Sequence, residues 1–275
     1  MQKADNTNGF TNRRMMVPPE FSGVFSHFYV ARNDSGKTIR KTLLPSYQTI
    51  FVFNFGAGAL LHTAQDTTIG MDKCVVLGPI RKAIGYALPP QSEILVLNLI
   101  DDAFYRFFGQ PPIPANVPIH PDSLLDDNCF TGLWSILNGM DNADQRVDCL
   151  LGFCRPYLSQ RSPLAEALVN FDTSYQNPIK AIADRERQSE RNIQLNHKRQ
   201  FGYSVKELNR YRRFVKAIAL IRQMATGDEK PDWFGVIHAC GYYDQSQLIH
   251  DFKHYLNLSP TKYLKFQRDI CNPAG

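Results

Sequence analysis

The chain has no apolar run of about 18 residues, so nothing in it is long enough to cross a bilayer as a helix. Its start, Met1-Gln-Lys-Ala-Asp-Asn-Thr-Asn8, is too polar for a signal peptide, and a cytoplasmic location is expected. The six cysteines, at 74, 129, 149, 154, 240 and 271, include no C-x-x-C pair, and none stands beside a histidine at zinc-binding spacing. They are read as small apolar residues under a reducing cytosol, and their even number is no sign of disulfides. Also missing are a Walker-type loop, a Ser/His/Asp constellation and paired carboxylates in a glycine-framed turn. A metal-dependent barrel enzyme would need a clustered His-x-His with a Glu, whereas His27, His62 and His120 are isolated. No catalytic residue, metal ligand or cofactor is assigned, and an enzyme is not expected.

What is present is a globular composition. The 275 residues are 43% hydrophobic and 12% aromatic, enough for two domains with their own cores. Charge is uneven between them. From Tyr175 to the end there are 17 Lys/Arg against 10 Asp/Glu, and before it 14 against 16. A basic excess confined to one region permits nucleic-acid binding and favours it over a membrane surface.

That basic region holds the most telling local pattern, GYYDQSQLIHDFK at 241–253 followed by Ser259-Pro260. Trp233, Phe234, Ile237, Ala239 and Cys240 form an apolar periodic segment that stops at Gly241, a residue free to take the left-handed conformation that ends a helix. Asp244 can cap the next helix and Gln247 can reach back to complete a capping box. Leu248 and Phe252, spaced i, i+4, with Tyr255 or Leu256, dock the new helix on its predecessor. Off that stripe lie Gln245, Ser246, Ile249, His250 and Lys253, mostly hydrogen-bonding side chains suited to base edges and phosphates. Periodicity alone fits an ordinary helical hairpin as well as a DNA-reading helix-turn-helix.

A second unit lies upstream. Asn177-Pro178 looks like a cap followed by Pro at the first helical position, with Ile179, Ile182 and Ala183 on the buried side. After Gln188-Ser189 another helix turns Ile193 and His197 inward and Arg191, Gln194, Leu195 and Lys198 outward. Gly202 breaks it, and Ser204-Val-Lys-Glu207 opens a long helix running to about Met224. About 20 residues at roughly 1.5 Å each span about 30 Å, close to the ~34 Å between successive major grooves on one face of DNA. One chain can therefore fill two grooves.

From about residue 163 to 268 the chain resembles the AraC/XylS class of bacterial transcription regulators, whose DNA-binding domain holds two helix-turn-helix units joined by a long helix. Gly241-Tyr-Tyr-Asp-Gln-Ser246, Phe252-Lys253, Ser259-Pro260 and Tyr263 follow the family signature nearly position by position. In the first unit Ser189, Arg191, Ile193, Lys198, Gly202 and Ser204 fit, while Leu195 stands where the family usually has Arg and His197 where it usually has Phe. His250 replaces a common Arg, and Asn257 a common Gly. The resemblance implies that Arg191, Gln194 and Leu195 face bases in the first unit, and Gln245, Ser246, Ile249 and His250 in the second. It implies phosphate contacts for Lys198 and Lys253, which supply affinity and salt dependence. Leu195 can meet a thymine methyl but cannot make the bidentate guanine contact of an Arg.

The front of the chain is built differently. Short apolar runs at 23–31, 50–55, 59–62, 74–77, 83–87 and 94–99 are divided by Pro, Gly and Asn/Asp, at strand lengths and strand spacing. We expect an antiparallel sandwich or barrel, then a short helix at 101–108, an irregular stretch at 110–118 and two or more helices over 122–159. The layout resembles the β-rich, often cupin-like sensor domains fused ahead of AraC-type DNA-binding domains. Phe51, Phe53, Phe55, Tyr86 and Leu88 can line an interior pocket or equally fill a core. Arg81 and Lys82 can meet an anionic effector or be solvated surface, and no effector residue is assigned. The helices over 122–159 can cover the sheet and carry dimer contacts.

The expected fold is therefore α+β. An N-terminal antiparallel β-sandwich or barrel with covering helices (1–120, then a helical connector 121–160) precedes an all-α DNA-binding domain (161–275) of two helix-turn-helix units joined by a long helix. The expected function is sequence-specific transcription regulation on double-stranded DNA, modulated at the β-domain by a small-molecule effector or a partner. RNA polymerase and a second copy of the chain are further partners that the class admits. The alternatives are a cupin-like enzyme targeted to DNA and an adaptor whose β-domain binds a protein.

Overall fold

The computed structural model describes residues 5–7, 9–62, 68–113, 117–170, 178–225 and 231–271. The expected helix cap Asn177 and part of the irregular stretch at 110–118 lie outside the described residues. By its contacts the chain divides into two compact units, Met1–Ser204 and Val205–Gly275. The expected boundary at 160/161 falls inside the first of them.

In chain order the strands are β1 (Asp5–Thr7), β2 (Phe10–Met15), β3 (Phe25–Asn33), β4 (Ile39–Leu43), β5 (Thr49–Gly56), β6 (Leu60–His62), β7 (Thr68–Gly70), β8 (Cys74–Leu77), β9 (Ile84–Leu88) and β10 (Ser92–Leu99). The helices are α1 (Ala103–Phe108), α2 (Asp122–Leu125), α3 (Cys129–Asn138), α4 (Ala143–Cys154), α5 (Pro163–Val169), α6 (Pro178–Glu186) and α7 (Glu190–Phe201). The second unit holds α8 (Val205–Ala225), α9 (Trp233–Cys240), α10 (Gln245–Leu256) and α11 (Pro260–Cys271).

The strands form two antiparallel sheets, in the orders β1-β2-β3-β10-β5-β8 and β4-β9-β6-β7. Side chains alternate across a strand, so β5 and β10 at the centre of the larger sheet serve two cores at once. Phe51, Phe53, Phe55, Leu95, Leu97 and Leu99 face α1, α3 and α4, packing with Phe104, Phe107, Phe130, Leu137 and Leu150. The intervening Ile50, Val52, Ile94 and Val96 face the smaller sheet, with Ala31, Leu61, Met71, Leu77 and Leu88. Burial on both faces explains the unbroken apolar runs of these two strands, and each fully buried Phe or Leu contributes roughly 1.5–3 kcal/mol. The expected runs at 50–55, 74–77 and 94–99 are thus strands. Four short or polar strands, β1, β2, β4 and β7, carry no apolar signature in the sequence.

The helices are fastened to the larger sheet by polar ties as well as by packing. Trp134 of α3 donates its indole N–H to the Asn54 carbonyl at 2.7 Å. Arg146 of α4, almost fully buried, pairs with Glu93 at 2.7 Å, donates to the Leu137 carbonyl at 3.0 Å and lies 3.9 Å over the Phe55 ring. These helices spend their apolar faces on the sheet, leaving Ile136 as the large apolar side chain of α3 that is exposed.

In the second unit, α8 has 21 residues and packs with α9, α10 and α11. Phe214 lies 5.1 Å from Phe252 and 4.4 Å from Tyr255, and Phe252 lies 5.7 Å from Tyr263, an aromatic cluster joining three helices.

Candidate functional site

Each helix-turn-helix presents one exposed face. In α7, Ile193, His197 and Phe201 are buried, while Arg191, Gln194, Leu195 and Lys198 are exposed at i, i+3, i+4 and i+7. Leu195 is 58% exposed, an apolar side chain turned to solvent rather than into the core. Ser189 caps the helix by accepting from the Asn192 N–H at 3.2 Å, and Gly202 ends it at φ +82°.

The second unit follows the same scheme with tighter local chemistry. Gly241 ends α9 at φ +73°. Asp244 accepts from the Gln247 N–H at 2.8 Å, and the Gln247 side chain accepts from the Tyr243 N–H at 2.9 Å. The reciprocal cap therefore reaches one residue further back than the expected box. Leu248, Asp251, Phe252 and Tyr255 are buried. Gln245, Ser246, His250 and Lys253 are exposed and Ile249 is half-buried, so the expected reading face is open. Asn257 closes the helix at φ +56°, the left-handed conformation that ends many helices.

Asp251 went unnoticed in the sequence. Its carboxylate is 2% exposed and bridges Arg210 at 2.6 Å and Arg213 at 3.4 Å, both on α8. Arg213 also lies 4.5 Å over the Tyr242 ring. Burial, and then Asp251, raise the Tyr242 hydroxyl above its ordinary pKa, so it stays a donor. The ion pairs hold α10 on α8 from the side opposite its open face.

In the β half a cavity of about 460 Å³ lies between the two sheets. Ile50, Val52, Leu61, Met71, Leu77, Ile94 and Val96 make an apolar floor, and the exposed side chains of Arg14 and Lys41 border it. Tyr29, Tyr86, His27 and Asn98 supply polar groups within. Asn98 donates to His27 Nε2 at 3.3 Å, which leaves the ring proton on Nδ1, 2.9 Å from Ser26 Oγ. Burial, and then Arg14, lower the His27 pKa and keep the ring neutral. Burial raises Tyr29, and raises Tyr86 further, so both remain protonated donors.

The cavity divides the residues that could line a pocket or fill a core. Tyr86 lines it, and Leu88 packs in the same layer without reaching it. Phe51, Phe53 and Phe55 belong to the opposite face of β5, because the odd positions of that strand point at the helices. Arg81, left open between an effector contact and solvated surface, donates to the Gly202 carbonyl. The histidines stay apart: His62 meets Thr68 Oγ1 at 3.1 Å, and His120 Nε2 lies 3.3 Å from Cys74 Sγ. Cys74 is wholly buried and its thiol is pushed up to about 12, chiefly by burial, so it is no nucleophile. Among the described residues no three His, Cys, Asp or Glu side chains are grouped to hold a metal ion. No described helix is long and apolar enough to cross a membrane.

No family model matches the chain, and no curated protein matches it. Among solved structures it is similar to ToxT from Vibrio cholerae O395, at 14% identity over 95% of this chain and 98% of that one, with a TM-score of 0.41. Unsaturated fatty acid bound wild-type ToxT from Vibrio cholerae strain SCE256 is similar at 15% identity over 86% and 94%, with a TM-score of 0.40. KdgF from Halomonas sp. is similar to a smaller part, at 10% identity over 36% of this chain and 87% of that one, with a TM-score of 0.26. Likeness at this level does not transfer a function, and the residues described above must carry it.

Proposed function

We propose that this protein is a sequence-specific DNA-binding transcription regulator whose β half takes a small-molecule effector. The observation that carries the reading is the pair of exposed polar faces on α7 and α10, each on the second helix of a capped helix-turn-helix. Arg191, Gln194 and Leu195 on one, and Gln245, Ser246, Ile249 and His250 on the other, then meet base edges. Lys198 and Lys253 meet phosphate. The basic excess after Tyr175 supports this assignment.

The cavity supports the effector. An apolar floor bordered by Arg14 and Lys41, with neutral His27 and two tyrosine hydroxyls inside, suits an apolar molecule with one anionic end. ToxT has been solved with an unsaturated fatty acid bound, which makes such an acid the first probe to try.

Selection of bound DNA from a random pool with the full-length protein tests the DNA reading. The expected motif has two boxes about one helical turn apart. Gln245→Ala should lose preference at one or two positions in one box, worth roughly 1–3 kcal/mol per base contact. An unenriched pool would sink the proposal, and an unchanged motif with Gln245→Ala would remove α10 from the groove.

A further inference from the structure

One wall of the cavity reaches the turn that ends α7. Leu43, Leu44, Pro45, Ser46 and Gln48 line the cavity; Tyr47, in their midst, does not. Its φ of +56°, rarely adopted by a residue with a side chain, takes it out of the alternation of its neighbours. The Tyr47 ring meets the ring of Tyr203 edge-on, with centroids 5.0 Å apart. The same wall is stitched to the segment at 79–81. The N–H groups of Ser46 and Tyr47 both donate to the Ile80 carbonyl, at 2.9 and 3.0 Å, and the Ile80 N–H donates to the Gln48 carbonyl at 3.0 Å.

One residue on, Arg81 donates to the carbonyl of Gly202, the residue that ends α7. A cation at this end complements the unpaired carbonyls of the helix. Gly202 is also seated against proline: a Cβ there would lie 2.9 Å from Pro112 and 3.2 Å from Pro79. Earlier in the last turn of α7, Arg199 lies 5.5 Å over the Tyr105 ring of α1. The end of α7 is therefore held by the β half and α1, and two of the holding residues, Tyr47 and Arg81, belong to the cavity wall or are hydrogen-bonded to it through Ile80.

We infer that residues 44–48, joined to 79–81, transmit occupancy of the cavity to α7. A guest that displaces the wall moves the Tyr47 ring and the Arg81 guanidinium, and with them the turn at 201–203 that fixes the end of the reading helix. The inference rests on the cavity being an effector site and on α7 reading DNA. It adds the path between them, with each link a contact inside one compact unit.

Amide hydrogen exchange on the full chain tests it, with Tyr47→Gly and Arg81→Gln as variants. Glycine keeps the left-handed backbone at 47 and removes only the ring. With the cavity empty, both variants should raise exchange at 198–203 by about fivefold or more while β5 and β10 exchange as in the wild type. With cis-9-hexadecenoate as the probe, the wild type should change at both 43–48 and 198–203, and the variants at 43–48 alone. If the acid leaves 43–48 unchanged, the effector chemistry proposed above is wrong. Val96→Phe, which fills the cavity from β10, then replaces the acid in the same comparison. Wild-type exchange at 198–203 in both variants overturns the inference. So does a response there, to acid or to Val96→Phe, that survives loss of Tyr47 and Arg81.

Discussion

Inside the second helix-turn-helix, α10 turns Leu248, Asp251, Phe252 and Tyr255 toward α8, and Asp251 finds both its cations there. Inside the first, α7 turns Ile193, His197 and Phe201 inward. There the His197 ring stacks on Phe201 at 4.5 Å and its Nδ1 is 2.8 Å from the carbonyl of Tyr203, a residue of its own turn. The two outer faces are alike in kind, yet the inner sides are fastened to different things. The α10 helix is secured by an aromatic cluster and an ion triad within the small helical unit. The end of α7 is secured by Pro79, Arg81, Pro112 and Tyr47 of the β half. The two helices are thus fastened to different partners, and on the transmission proposed above α10 is the constant reader and α7 the adjustable one.

The largest expected effect tests that difference in the cores. Phe252 is wholly buried between Phe214 and Tyr263, so Phe252→Ala should cost about 3–5 kcal/mol and open the second unit. His197→Ala removes a ring stack and one hydrogen bond to the backbone, so roughly 1–3 kcal/mol is expected. Urea unfolding, with hydrogen exchange read separately at α7 and α10, gives both numbers. Equal losses spread over both helices would break the comparison, because the heads would then share one core.

Asp251→Asn comes next. The carboxylate is buried, but Arg210 is 38% exposed, so solvent takes up part of what the pair loses. About 1–2 kcal/mol is expected, confined to α8 and α10, with DNA affinity reduced and base preference kept. A changed base preference with unchanged stability would make Asp251 a determinant of reading rather than of docking.

These contrasts differ in how far they could be read from the residues alone. The turn and cap of α10 were legible because their causes are local: Gly241 and Asp244 act on neighbours within a few residues. β5, β8 and β10 were legible because burial on both faces leaves unbroken apolar runs. β2 and β4, with Arg13, Arg14, Arg40 and Lys41 in them, look like loops and become strands only through their partners β3 and β9. Those strands supply the basic side chains at the cavity. Its apolar floor stayed open between two choices because alternation sorts β5 into two sets without saying which set faces the helices. Gly202 was visible as a break, but not as a seat: its prolines stand far off in sequence, at 79 and 112, and only the folded chain brings them to it. Asp251 was hidden for the same reason, its arginines lying about forty residues upstream.

The smallest expected effect uses pH to sharpen the comparison from the cavity side. Burial and the nearby Arg14 lower the His27 pKa below its ordinary value of 6.5, so the unfolded chain binds this proton more readily than the folded one. The stability that neutral His27 permits is complete above pH 6.5 and is lost as pH falls from there toward the folded value. A window from pH 7 to about 5.5 stays above the ordinary carboxylate range and isolates the histidine contribution. Over that window the wild type should lose a little stability in the first unit, and His27→Asn should lose less, since its amide does not titrate. If the cavity wall transmits, exchange at 198–203 should rise with acid in the wild type and stay flatter in His27→Asn, while the difference between the two proteins vanishes at α10. Because α10 is fastened to α8 by groups of its own unit, a His27-dependent change appearing equally in α10 would mean that both heads respond to the cavity, and the distinction between a constant and an adjustable reader would fall.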